Sequence, residues 1–290
     1  MSNKETVLPV GGHSIKTPCF FPSISSVKTN LRVKDYLEFL ISTREPQFLI
    51  SAYDIFNADE DDRSAIFKGL KRADANGQKV LLDSGIYEKY WLRDNSWGKT
   101  EFEKVLGLFN FHIAFCFDDI ENPRIGPSID KAKESLLVNE TTTILPIVHG
   151  GSGSLLDNVI STIKDSNPIM IGIPERELGQ GILARAKSVF EISKAINEIE
   201  SNSLIHLLGT GNPISILLYA YCGADSFDGL EWCQTVVDPT TANLFHFQQR
   251  ELFDNAPSNL TYDLATLTFP HFIGQSALDS FSLFNKFLWC

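Results

Sequence analysis

Leu204-Ile205-His206-Leu207-Leu208-Gly209-Thr210-Gly211, then Asn212–Cys222, then Gly223-Ala224-Asp225-Ser226-Phe227-Asp228-Gly229, is the stretch that decides the fold. An apolar run of strand length stops at a Gly-Thr-Gly turn. Pro213–Cys222 then carries a helical pattern, with Pro213 suited to a first helical turn. A second strand, Asp225–Asp228, follows at once. Strand, helix and strand in so short a space read as one parallel βαβ unit.

The same alternation runs upstream. Six further apolar runs read as strands: Cys19–Pro22, Gln47–Ser51, Val80–Asp83, Ile113–Asp118, Ile144–His149 and Ile169–Ile173. Several lack polar alternation, as strands covered on both faces should. Between them, helical periodicity marks Val33–Ile41, Asp61–Ala73, Phe102–Phe109, Ser128–Val138, Ser154–Ile163 and Ile182–Ile199, with Ser128 and Ser154 as N-caps. Eight such units in about 230 residues fit an α/β chain closed as a (β/α)8 TIM barrel. An open doubly wound sheet is the rival. The expectation is a single domain over 1–290, with the barrel at about 10–235 and a short C-terminal extension at about 236–290.

Composition narrows the function classes. The 290 residues are 43% hydrophobic and 21% charged, as in an ordinary globular chain. No apolar run is long enough to span a bilayer, and Met1–Val7 lacks an apolar signal region, so the expectation is a cytoplasmic protein without a membrane partner. The five cysteines are widely spaced and read as reduced, buried thiols. No His/Cys cluster has zinc spacing, and neither a Walker motif nor a complete dinucleotide fingerprint is present. The formal net charge of −11 weighs against a surface coated with phosphate-binding groups, although charge can be segregated.

In parallel α/β folds, chemistry gathers where strands end. Here the ends carry Asp83-Ser84-Gly85, Asp118-Asp119, His149-Gly150-Gly151, Gly172-Ile173-Pro174-Glu175, Gly209-Thr210-Gly211 and Asp228-Gly229. Each has a bland reading as a cap, an Asx-turn or a plain turn glycine. Taken together, three carboxylates and a histidine at one rim put titratable groups around one hollow.

In order, these segments resemble the motifs of the tRNA-guanine transglycosylase family (the queuine and archaeosine tRNA-ribosyltransferases). Asp83-Ser84-Gly85-Ile86-Tyr87-Glu88 is similar to its Asp-Ser-Gly-Gly-Tyr/Phe-Gln, Phe117-Asp118-Asp119 to its Phe-Asp-Glu, and His149-Gly150-Gly151 to its Gln-Gly-Gly/Ser. Gly172-Ile173-Pro174 corresponds to its Gly-Gly-Leu loop, Leu207–Gly211 to Leu-Met-Gly-Val-Gly, and Gly223–Asp228 to Gly-Val-Asp-Met-Phe-Asp. Thr17–Pro22 resembles its opening Thr-Pro-Val-Phe-Met-Pro strand.

The resemblance implies a pentosyltransferase that exchanges guanine for a 7-deazaguanine base in tRNA or DNA. Asp228 would be the nucleophile at C1′ of the sugar, and Asp83 would handle the protons of the leaving and incoming bases. Asp118 would accept from the N1–H and 2-amino edge, Tyr87 and Leu208 would sandwich the base, and Ser84, His149, Gly150, Gly151, Ile173 and Gly209 would complete its surroundings. Partners would be the nucleic acid and the free base, with a homo- or hetero-oligomer as the family's habit.

The chain departs from the family at four points. Ile86 replaces the second turn glycine, where a branched side chain disfavours positive φ. His149 replaces the base-reading glutamine. The zinc site is missing, since Cys290 is the only cysteine after Cys233, so no cofactor is expected. From Thr235 onward the only basic residues are Arg250 and Lys286. Such a shortened tail brings in the DNA-guanine transglycosylase type. Two alternatives stand beside it: a catalytically silent barrel acting as a partner subunit or base-binding protein, and a glycosyl-transfer enzyme for free nucleosides. Glu231, just past Asp228, is placed to approach the same hollow.

Overall fold

The computed structural model describes residues 6–10, 13–118, 142–237 and 244–246. An antiparallel hairpin of β1 (Thr6–Val10) and β2 (His13–Thr17) comes first, with Leu8 opposite Ile15, both buried. Eight parallel strands follow: β3 (Cys19–Ile24), β4 (Gln47–Ser51), β5 (Lys79–Asp83), β6 (Ile113–Phe115), β7 (Thr143–Leu145), β8 (Met170–Pro174), β9 (Leu204–Leu208) and β10 (Ser226–Gly229). Their order in the sheet is β7-β6-β5-β4-β3-β10-β9-β8. The two outer strands meet through a parallel bridge between Ile147 and Gly172, where Gly172 N donates to Pro146 O at 2.9 Å and Val148 N donates to Gly172 O at 2.8 Å. The sheet thus curls into a (β/α)8 barrel rather than staying open, which decides between the two candidate architectures.

The helices are α1 (Val33–Ser42), α2 (Ala52–Asn57), α3 (Glu60–Ala75), α4 (Ile86–Leu92), α5 (Lys99–Leu106), α6 (Gly151–Ser166), α7 (Ile182–Glu198), α8 (Pro213–Tyr221) and the short α9 (Glu231–Gln234). A second hairpin pairs β11 (Thr235–Val237) with β12 (Leu244–His246). The strands read as unbroken apolar runs because helices cover them outside and side chains fill the barrel inside. Every residue of β3 is buried, and the rings of Phe21 and Phe115 lie 5.8 and 5.1 Å from His206.

Helix starts moved most relative to the sequence reading. Asp59 caps α3 by accepting from Asp62 N at 2.7 Å, so the acidic run Glu60-Asp61-Asp62 belongs to the first turn, where the dipole favours it. Ser154 is no cap: α6 begins at Gly151, and Ser154 Oγ donates back to Gly150 O at 2.6 Å. Asn212 caps α8 and places Pro213 in its first turn. Helix 128–138 and Asp119 lie outside the described residues. Among the described residues, no helix is long and apolar enough to cross a membrane. Cys19, Cys116, Cys222 and Cys233 are free thiols.

The barrel seam is sterically exacting. A Cβ at Gly172 would lie 2.7 Å from Phe115 Cε1. Gly172→Val should overpack this seam and lower stability by about 1–3 kcal/mol, seen as a lower urea midpoint. An unchanged midpoint would mean that the Phe115 ring yields to the added side chain.

Candidate active site

All eight barrel strands lead into one cavity of about 580 Å3 at their C-terminal ends. That volume is ordinary for a small-molecule site. Ser23 and Ser25 come from the end of β3, Ser51 from β4, Asp83 and Ser84 from β5, and Asp118 and Ile147 from the segments leaving β6 and β7. Pro174 ends β8, Leu208 and Gly209 end β9, and Asp228 and Gly229 end β10. The register explains the convergence: Ser51 pairs with Asp83, and Asp228 with Phe21 two residues before Ser23, so these polar residues reach the rim together.

Asp228 is the most firmly held of them. Its Oδ1 accepts from Gly209 N at 3.0 Å and faces His206 Nε2 at 3.1 Å, while Oδ2 accepts from Ser23 Oγ at 2.9 Å. An ionised carboxylate only accepts, so the His206 nitrogen facing it carries hydrogen. The other His206 nitrogen lies 2.9 Å from Ser226 Oγ. Three donors from β3, β9 and the turn after β9 therefore fix the direction of one carboxylate.

Asp83 sits in a tight turn. Gly85 N donates to its Oδ2 at 2.9 Å, and Trp97 Nε1 donates to Ser84 O at 3.0 Å. Gly85 takes the left-handed backbone (φ 79°), and a Cβ there would lie 2.6 Å from Tyr53 Cβ. Ile86 opens α4 without a positive φ, so the strain feared for a branched residue falls on a glycine instead. Burial pushes the Asp83 carboxyl up to about 6; the Gly85 N–H pulls it back, and the charges of Asp228 and Asp118 add to the rise. Asp83 keeps a partial opening onto the cavity while lying far from bulk solvent, which is why desolvation dominates.

Two further carboxyls share the wall. Glu88 accepts from Ser25 Oγ at 2.5 Å and Ser51 Oγ at 2.8 Å. Burial pushes it up to about 8, with the charges of Asp54 and Asp83 adding and the two serines opposing. It is a neutral acid at pH 7. Burial raises Glu231 to about 7, helped by Asp228 and Glu175 and opposed by backbone N–H groups. Glu175 also lines the cavity, and Arg185 pairs with it at 2.9 Å. The cations on the wall, Lys28 and Arg176, are both exposed.

Of the residues singled out in the sequence, Asp83, Ser84, Tyr87, Asp118, Leu208, Gly209 and Asp228 line the cavity, and Glu231 joins them. His149, Gly150 and Ile173 stand off its described wall, and Gly151 opens α6. Both His149 nitrogens are engaged elsewhere, Nε2 with Asp118 Oδ1 at 2.9 Å and Nδ1 with Glu177 Oε1 at 2.6 Å. Gly150 N donates to Glu177 Oε2 at 2.8 Å. Ile173 is wholly buried in β8, and its neighbour Pro174 reaches the wall instead. His149 thus orients Asp118 from behind. Burial pulls its pKa down, but Asp118 and Glu177 outweigh that and raise it to about 9. Sequence reading missed Glu88, Lys28, Tyr90, Trp91 and Arg176. The signal for the aromatics was their i, i+3, i+4 spacing from Tyr87 in an otherwise polar segment.

Among the described residues, no three His, Cys, Asp or Glu side chains are grouped to hold a metal ion. Two titrations can be read in the stability of the protein. The folded His149 holds its proton to about pH 9, against 6.5 when unfolded. Its contribution is complete below pH 6.5 and lost as pH rises through 9. His149→Gln should remove that fall from a profile of urea midpoint against pH, and parallel profiles would rule out an imidazolium clamped by two carboxylates. Glu88 behaves differently: unfolded, it ionises near 4.5, but folded only near 8. Its burial therefore costs stability progressively from pH 4.5 to 8. Glu88→Gln should gain stability over wild type across that window, and a constant offset would show that Glu88 is already ionised in the fold.

No protein-family model matches the chain, and no curated protein matches it.

Proposed function

We propose that the protein is a base-exchanging pentosyltransferase of the guanine transglycosylase type, replacing guanine in tRNA or DNA with a 7-deazaguanine. The observation that carries this reading is the convergence of Asp83, Asp118 and Asp228, from β5, the segment leaving β6, and β10, on one cavity. A ligand in that hollow would lie within reach of all three carboxylates, which supports reading residues so distant in sequence as one site.

The chemistry follows from their surroundings. In the first displacement an Asp228 oxygen bonds to C1′ and the bond from C1′ to the base nitrogen breaks. The electron pair stays on the departing base, and Asp83 in its acid form supplies the proton. In the second, Asp83 takes a proton from the incoming base, whose nitrogen attacks C1′ and releases the Asp228 carboxylate. Retention of configuration results, as in other double displacements. A carboxyl raised to about 6 by burial is suited to giving and taking a proton near neutrality. The donors from Ser23, Gly209 and His206 aim the nucleophile and favour the carboxylate as it departs. Asp118, backed by His149, offers acceptors to the donor edge of a guanine-type base, with Tyr87 and Leu208 available to its faces. A base within a duplex is out of reach, so the nucleotide is taken single-stranded or flipped.

A free nucleoside is the second reading, favoured by the six carboxyl groups that outnumber Lys28 and Arg176 on the cavity wall.

Radiolabelled guanine incubated with bulk tRNA, DNA and guanosine separates these substrates. Asp228→Ala should abolish both exchange and a trapped covalent adduct. Asp83→Asn should lower kcat by about 10²–10⁴-fold and remove a limb near pH 6 from the kcat/KM profile. Base exchange by Asp228→Ala at the wild-type rate would eliminate the double displacement.

A further inference from the structure

Helix α4 turns an unusual face outward. Tyr87, Tyr90 and Trp91 lie at i, i+3 and i+4, hence on one side of the helix. They are 38%, 65% and 47% exposed, although rings of this size ordinarily bury most of their surface. All three line the cavity, so the aromatic strip is continuous with the hollow that holds Asp83 and Asp228. The rings brace one another edge to face, Tyr90 against Trp91 at 5.5 Å and 86°, Tyr87 against Trp91 at 6.3 Å and 63°. They form one continuous aromatic ledge.

Charge is sorted along the same wall. Asp83, Glu88, Asp118, Glu175, Asp228 and Glu231 are buried or half-buried, whereas Lys28 and Arg176 are exposed. The Lys28 ammonium stands 3.4 Å from the centre of the Trp91 ring, a cation–π arrangement that holds the charge beside the ledge. Gln234 Nε2 donates to Lys28 O at 2.9 Å and fixes the loop that carries it. Neither Lys28 nor Arg176 forms an ion pair among the described residues. A chain with a net charge of −11 thus places the Lys28 cation against the aromatic ledge and a second exposed cation, Arg176, elsewhere on the wall of the same cavity.

We propose that this ledge binds the nucleotides flanking the reacting one in a single-stranded or locally opened nucleic acid. Bases stack on Tyr90 and Trp91, and Lys28 and Arg176 meet the phosphates. Flat apolar faces beside one exposed cation, with a second cation on the wall of the same cavity, match a polymer of flat bases and anionic linkers, and stacking tolerates any base. The inference rests on the reading of the cavity as a nucleobase site and deepens it: the substrate is a polymer, and a free nucleoside fills only the inner part.

The test is fluorescence anisotropy of the full chain with short fluorescein-labelled single-stranded DNA and RNA of one guanine-containing sequence. Tyr90→Ala should raise Kd by at least ~5-fold, as loss of one stacked base does, and Tyr90→Phe should bind as wild type. Lys28→Ala should reduce the slope of log Kd against log salt by about 0.7, one phosphate contact on a single strand. Tyr90 is mostly solvated, and thermal melting of each variant checks that the fold is intact. Binding of neither polymer by wild type, or wild-type affinity in Tyr90→Ala, overturns the ledge. Its failure is separable from that of the exchange reaction. An Asp228 adduct on an oligonucleotide whose affinity ignores Tyr90 keeps the reaction and removes the ledge. Tyr90-dependent binding with no exchange and no adduct on any substrate keeps the ledge and removes the reaction.

Discussion

The hydrogen bonds at Gly172 that join β8 to the segment after β7 are the constraint on which the architecture turns. Without that bridge the eight strands would form an open sheet, and β5, β6 and β10 would end at scattered points along its edge. Closure bends those ends toward a common axis. The polar residues at 23, 25, 51, 83, 118, 209 and 228 then surround one volume. No single βαβ unit contains a site, and the ring of strands makes one.

Inside that ring, proximity changes the acid–base character of ordinary residues. Asp83, Glu88 and Glu231 all sit above the usual carboxylate range, first because water is excluded and then because each feels another carboxylate. His149 moves up for the opposite reason, held between Asp118 and Glu177. A single cavity thus holds a neutral acid at Glu88 and an aspartate poised near neutrality, with a histidinium at its back. This spread comes from placement, since all three acids begin as unremarkable carboxyls.

The barrel was legible in the sequence because strand-length apolar runs and helical periods alternate without a break, and all eight strand positions match. Closure was not, since it depends on pairing between segments that carry no local mark of it. Asp83, Asp118 and Asp228 stood out as charged residues at the ends of apolar runs. Glu88 did not, because a glutamate beside aromatics in a turn reads as surface until Ser25 and Ser51 are seen to grip it. His149 shows the converse. Its position after β7 suggested contact with a ligand, yet Glu177, in the turn after β8, draws the ring outward. The short helices α2 and α4 were missed because two turns or fewer carry too little periodicity to register.

Strand β10 is gripped by residues from the beginning of the barrel. Ser23 Oγ reaches Asp228, Trp232 Nε1 donates to Ser23 O at 2.8 Å, and Gln234 takes hold of the Lys28 loop. During synthesis on the ribosome, β10 is the last of the eight barrel strands to emerge, so Asp228 is not held in place until that strand slides between β3 and β9. A partly made chain would already hold the serines and the other carboxylates of the rim before Asp228 joins them. The rim of the cavity is therefore complete only once the ring closes, because the three groups that hold the Asp228 carboxylate come from β3, β9 and the turn after β9.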